Sequence, residues 1–127
     1  MLEPEKYLNY LSQTKKKAVA DFRCSTHKLN IEIGRHYNIP FHQRICMYCK
    51  KERNVELVEN EFHFLFICPY YEDIRTTYIL ISFRIYSNEN KLIRFLLTKE
   101  EYVILQLSLY LINAFKRRET LPVLPRS

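Results

Sequence analysis

Three of the four cysteines and one of the four histidines fall in ICMYCKKERNVELVENEFHFLFICPYY, residues 45–71. They read Cys46-x2-Cys49, thirteen intervening residues, then His63-x4-Cys68. Two cysteines at that separation direct both sulfurs to one ion from a single tight turn. A second pair from a distant segment completes a tetrahedron and closes the loop between them. The chemistry expected is one structural Zn2+, because four protein ligands leave no position for a reacting water. Reduced thiols clustered for any other purpose would be an oxidation hazard. Ligand type is better defined than ligand identity. Cys24 in place of His63 gives a four-cysteine set, and His42 lies four residues before Cys46. His63 is favoured because its spacing from Cys68 matches compact zinc knuckles. Cys24, beside Phe22 on an apolar helical turn, is expected to be a small buried residue. His27 and His36, among basic and polar neighbours, are expected at the surface.

The elements that must position these ligands read as mainly helical, with a small α+β arrangement as the variant. Residues 3–12 suit a short amphipathic helix, with Pro4 in its first turn and Tyr7, Leu8 and Leu11 on one face. Thr14 is placed to cap a second helix over 15–24, lined by Ala18, Val19 and Phe22. Leu29, Ile31 and Ile33 alternate as in an extended segment that turns at Gly34 and closes at Pro40. Residues 41–57 are expected to be irregular around the first cysteine pair. Phe62, Phe64 and Phe66 alternate as in a strand, yet the stretch is apolar nearly all round, as in a buried helix. Pro69 disfavours helical geometry at Cys68 and suits the first turn of the next helix, over 70–86. Thr98 and Glu101 form a capping-box pattern before the last helix, which ends in Lys116, Arg117 and Arg118. The resulting division is a basic helical and extended segment (1–44), a CCHC zinc-knuckle-like loop (45–71), C-terminal helices (72–118) and a flexible tail (119–127). Together these form one compact domain.

With 127 residues, 47% of them apolar, and only one glycine, the chain is globular material that profits from a staple. The longest apolar run, Tyr102 to Phe115, is shorter than the roughly twenty residues a membrane span needs, so it reads as a core helix. No signal peptide is visible, and the protein is expected to be soluble, intracellular and without a membrane partner. The net charge of +6 lies wholly in residues 1–53, which hold eleven Lys/Arg against five Asp/Glu; residues 54–127 hold nine of each. A one-sided basic half points to an anionic partner.

The string ADFRCSTHKLNIEIGRHYNIPFHQRICMYCK, followed by ENEFHFLFICPYYEDIR, resembles the zinc-binding region downstream of the polymerase core in non-LTR retrotransposon reverse transcriptases. The likeness covers about residues 20–75, its elements occurring in the family's order. It implies metal ligands at Cys46, Cys49, His63 and Cys68, in agreement with the spacing, and it implies a nuclear setting. The departure is catalytic. A polymerase needs paired aspartates for divalent ions, and this chain has only Asp21 and Asp73, far apart. Nuclease, P-loop and nucleophile motifs are absent as well, so no enzyme is expected.

The function expected is therefore a zinc-stabilised nucleic-acid-binding module, alone or joined to the rest of a reverse transcriptase polypeptide. Phosphate contacts are assigned to Lys15, Lys16, Lys17, Arg23, Lys28, Arg35, Arg44, Lys50, Lys51 and Arg53, which would supply salt-dependent affinity for RNA or DNA. Tyr37, Phe41 and Tyr48, interleaved with them, are expected to pack in the core or loops, with stacking on unpaired bases as the functional alternative. The alternatives are a protein-interaction domain scaffolded by zinc and a retroelement fragment with no function.

Overall fold

The computed structural model describes residues 13–79 and 88–125, which are mostly helical with almost no strand. The helix expected over 3–12 and the far part of that over 70–86 lie outside the described residues. The α-helices are α1 (Gln13–Arg23), α2 (Asn30–His36), α3 (Met47–Arg53), α4 (Glu72–Tyr78), α5 (Glu89–Leu96) and α6 (Glu101–Arg118). Single turns of 3-10 helix occupy Phe41–Gln43 and Pro69–Tyr71, and a π-type turn occupies His63–Ile67.

The long helix α6 is the floor of the molecule. Val103, Leu107, Tyr110, Leu111 and Ala114 recur at helical spacing and are buried, and α1 and α4 pack on that stripe. Among the described residues no helix is long and apolar enough to cross a membrane. α1 brings Val19 and Phe22 to the core and leaves Lys16 and Lys17 in solvent. Phe64 is the hub of an aromatic cluster, with Phe115 at 4.6 Å, Tyr71 at 4.8 Å, Tyr110 at 5.8 Å and Phe22 at 6.1 Å between ring centroids. Tilted and edge-on pairs of this kind add to the burial of their apolar area.

Several local expectations fail for physical reasons. Thr14 lies within α1 and is not its cap. Residues 30–36 form a helix, not an extended segment. Its buried residues are Asn30 and Gly34, one turn apart, so a polar residue and a glycine face the core and leave no trace in the apolar pattern. Residues 47–53, expected to be irregular, form α3, which ends where Asn54 takes a left-handed conformation (φ 54°, ψ 39°). The Thr98–Glu101 capping box does not form. Glu100 is the N-cap residue of α6, and the Thr98 hydroxyl accepts from the Glu100 N–H at 3.2 Å. The tail is not free either: the N–H groups of Glu119, Thr120 and Leu121 bond back to the last turn of α6, and Leu124 is buried.

Candidate metal centre

The two ligand pairs are presented by different devices. Cys46 is the N-cap residue of α3 in extended geometry (φ −71°, ψ 119°), and Cys49 sits in that helix's first turn. The Cys46 N–H donates to the Leu57 carbonyl at 2.7 Å, and Ile45 pairs with Val58 in an isolated antiparallel bridge. That bridge closes the base of the loop, so the chain leaving α3 returns beside the residue from which it started.

His63 and Cys68 come from the π-type turn. Asn60 accepts the His63 N–H on its side-chain oxygen at 2.9 Å, an N-cap arrangement. The Cys68 N–H donates to the His63 carbonyl at 2.9 Å, a bond spanning five residues. In an α-helix residues five apart point to different sides; the wider turn brings this pair to one side. Cys68 then turns out of helical geometry (φ −63°, ψ 121°) ahead of Pro69, as the proline requires. The aromatic run 62–66 thus resolves as a helix, with Phe64, Leu65 and Phe66 buried.

The four side chains converge. Cys46, Cys49, His63 and Cys68 are all buried, and their ligand atoms all lie within 4.8 Å of one another, close enough to hold one metal ion. Cys46 Sγ is 3.8 Å from Cys68 Sγ, and Cys49 Sγ is 3.5 Å from His63 Nε2. The cysteines are free thiols, not disulfides. Three sulfurs so close cannot all ionise alone. The hydrogen bond from the Cys68 thiol pulls Cys46 down to about 4. Sharing that proton with Cys46, together with burial, pushes Cys68 up, and burial pushes Cys49 up. A cation is what allows all three to be thiolates.

The other candidate ligands stand apart from this cluster. Cys24 is exposed, against expectation, because α1 stops at Arg23 and Ser25 takes a left-handed conformation (φ 57°) that reverses the chain. His42 is exposed on the 3-10 turn. His27, expected at the surface, is only 8% exposed and lies 5.1 Å from the Phe22 ring. It forms a second close group with Glu32 and Glu61. Its Nδ1 accepts from the Leu29 N–H at 3.3 Å, which leaves the ring proton on Nε2, 3.4 Å from Glu61. A nitrogen carrying a proton is no metal ligand, and Glu32 is already paired with Arg35 at 2.5 Å. This group is a polar cluster in which His27 Nε2 lies buried beside Glu61 without a hydrogen bond among the described residues.

A support network that the sequence did not reveal lies beneath the centre. Arg75 is fully buried, and its guanidinium donates to the carbonyls of Leu65 (2.6 Å), Cys68 (2.9 Å) and Phe64 (3.4 Å), taking up the oxygens that the π-type turn leaves open. Glu59 is also buried. It accepts from the Asn30 N–H (2.7 Å) and from two nitrogens of Arg118 (2.6 and 3.0 Å), while Asn30 Nδ2 donates to the Ile45 carbonyl at 2.7 Å. Burial pushes the Glu59 carboxyl up, against the pull of Arg118. Nothing local in the sequence distinguishes these charged residues from surface ones.

The basic residues separate into distinct groups. Lys15, Lys16 and Lys17 share α1, with Lys17 held by Asp21 at 2.6 Å. Arg23 donates to the Thr98 carbonyl at 3.1 Å, Lys28 is exposed in the following loop, and Arg35 is paired with Glu32. Arg44 turns inward, its Nε donating to the Ile39 carbonyl at 2.9 Å and Nη1 to that of Ile31 at 3.3 Å. Lys50 and Lys51 are exposed on α3, and Arg53 Nη1 reaches Cys49 Sγ at 3.7 Å. Tyr37 and Phe41 are exposed, whereas Tyr48 stacks on Tyr70 at 4.5 Å. Comparison with protein-family models, curated proteins and solved structures finds no match to this chain.

Proposed function

We propose that the chain is a zinc-stabilised nucleic-acid-binding module, of the kind found in the C-terminal part of non-LTR retrotransposon reverse transcriptases, with no polymerase activity of its own and a nuclear setting. The observation that carries the reading is the spacing of the ligand atoms. With zinc–sulfur bonds of about 2.3 Å and zinc–nitrogen bonds of about 2.0–2.1 Å, a tetrahedron has sulfur–sulfur edges of about 3.8 Å and sulfur–nitrogen edges of about 3.5 Å. The Cys46–Cys68 and Cys49–His63 separations are 3.8 and 3.5 Å. Zinc, when bound, supplies a cross-link between α3 and the π-type turn and leaves no position for substrate. The same cross-link sets the orientation of α3, which carries a ligand on its inner side and Lys50 and Lys51 on its outer side. Phosphate contacts from those lysines and from Lys15, Lys16 and Lys28 supply affinity without reading sequence. Arg44, turned inward, leaves that set, and so do Lys17, Arg23, Arg35 and Arg53, held by Asp21, the Thr98 carbonyl, Glu32 and Cys49.

The test has two parts. Protein purified under reducing conditions should contain one zinc per chain, lost in Cys49→Ser together with helical circular dichroism from the centre. Binding of a fluorescent oligonucleotide, titrated over a salt series, should weaken steeply, and replacing Lys50 and Lys51 by Ala should reduce the log–log slope by about 2. Absence of zinc would overturn the scaffold, and salt-independent or absent binding would overturn the nucleic-acid role. The second result would favour a protein-interaction domain, a reading supported by Ile93 and Leu97, one turn apart on and just beyond α5 and 53% and 70% exposed.

A further inference from the structure

Arg53 stands among the basic residues of the sequence, yet its guanidinium is turned toward sulfur. It lies one helical turn after Cys49 on α3, and Nη1 is 3.7 Å from Cys49 Sγ, within the range of an N–H···S hydrogen bond. The charge balance gives this contact a purpose. A divalent ion with three thiolates and a neutral imidazole carries one excess negative charge, and all four ligands are buried. Buried charge with no counter-charge is costly. Among the charged side chains of α3, Lys50, Lys51 and Glu52 are exposed, and Arg53 is the one with a hydrogen bond to a ligand.

We propose that Arg53 is a positioning and charge-balancing residue of the metal centre, donating to the Cys49 thiolate and so slowing loss of the ion. This rests on the zinc reading above. A hydrogen bond to a thiolate stabilises its lone pairs, which lowers its basicity and makes charge transfer from sulfur to metal more costly. Removal of the donor should therefore act on the ion's spectrum and on its exchange, not on the fold, because the Arg53 side chain lies on the exposed last turn of α3.

The full chain loaded with Co2+ is the probe, since its thiolate-to-metal absorption reports on the sulfur directly. In Arg53→Gln the band should move to lower energy, and transfer of the ion to a chromogenic chelator should quicken by about tenfold, the lower end of the effect seen when a ligand's hydrogen-bond partner is removed. Arg53→Lys, which keeps the charge, should fall between. Far-ultraviolet circular dichroism controls for the fold. A wild-type band that Arg53→Gln leaves unmoved, with unchanged release, overturns the role of Arg53 alone. No thiolate band in the wild type overturns the metal reading, and this role with it.

Discussion

The four candidate ligands declare themselves by type and spacing, whereas the residue that holds two of them in place does not. Arg75 is buried in the core with Glu72 as its ion-pair partner at 2.5 Å, and it fills the carbonyls of Phe64, Leu65 and Cys68. Without it, the Leu65 carbonyl would lose its donor in a buried position, while those of Phe64 and Cys68 would keep only the Tyr110 hydroxyl and the Tyr71 N–H. Arg75→Met keeps much of the side-chain volume and removes every donor. Urea denaturation should show a loss of about 3 kcal/mol, the order expected when charge-assisted bonds are removed and their acceptors stay buried. A variant within about 0.5 kcal/mol of wild type would mean that water takes the place of the guanidinium.

Helix α2 shows how one element can be misjudged and why it is nevertheless well defined. The only glycine of the chain lies in its interior, a position that costs a helix about 1 kcal/mol relative to alanine. Gly34 has no strained φ; it is needed for space. A Cβ there would fall 2.2 Å from Cγ of Arg44 and 2.5 Å from its Cδ. The Arg44 stem crosses the helix at that point so that its guanidinium can bond the carbonyls of Ile39 and Ile31. Gly34→Ala should therefore lose about 1–3 kcal/mol in thermal unfolding despite its better helix propensity. Combined with Arg44→Ala, the same substitution should stabilise by about 1 kcal/mol relative to Arg44→Ala alone, as its helix propensity dictates. If Gly34→Ala by itself stabilises the protein, the Arg44 crossing is not a constraint.

Across the whole molecule, the metal loop is tied to the last turn of α6 by Glu59, Asn30 and Arg118, side chains up to 88 positions apart in sequence. Arg117, next in line, grips α4 from the same turn, with Nη2 bonded to Asp73 at 2.8 Å and Nη1 to the Tyr70 carbonyl at 3.0 Å. The two arginines complement the negative end of α6 as expected, but their larger part is to clamp the helix to the loop. Arg118→Met leaves Glu59 buried without its cation and should cost about 3–5 kcal/mol. The double substitution Glu59→Leu with Arg118→Met should recover most of that loss, because two matched apolar groups replace a desolvated pair. Chemical denaturation of the three variants decides it: a double variant as unstable as the single one would show that Glu59 is needed for its bonds to Asn30 and not for Arg118.

The type and spacing of the candidate ligands, the apolar run of α6 as a core helix and the buried face of α1 were legible in the sequence. Each depends on residue type and short-range periodicity, which a chain displays without folding. The extended reading of residues 27–40, the burial of Cys24, the exposure of His27 and the cap at Thr98 failed on a different kind of information. For Cys24 the end of α1 and the left-handed Ser25 decide; elsewhere a distant partner does: Glu59 and Ile45 for Asn30, Arg44 for Gly34, the Phe115 ring for His27, and Arg23 for the Thr98 carbonyl. Polar groups are buried where a partner satisfies them, and that partner's position in sequence is set by the tertiary path alone. The sequence by itself narrowed the metal-binding atoms to a few cysteines and histidines, and the fold set Cys24 and His42 apart from them. The tertiary structure decided which charged residues serve that centre, because a buried arginine and an exposed one are the same letter until the chain has folded around one of them.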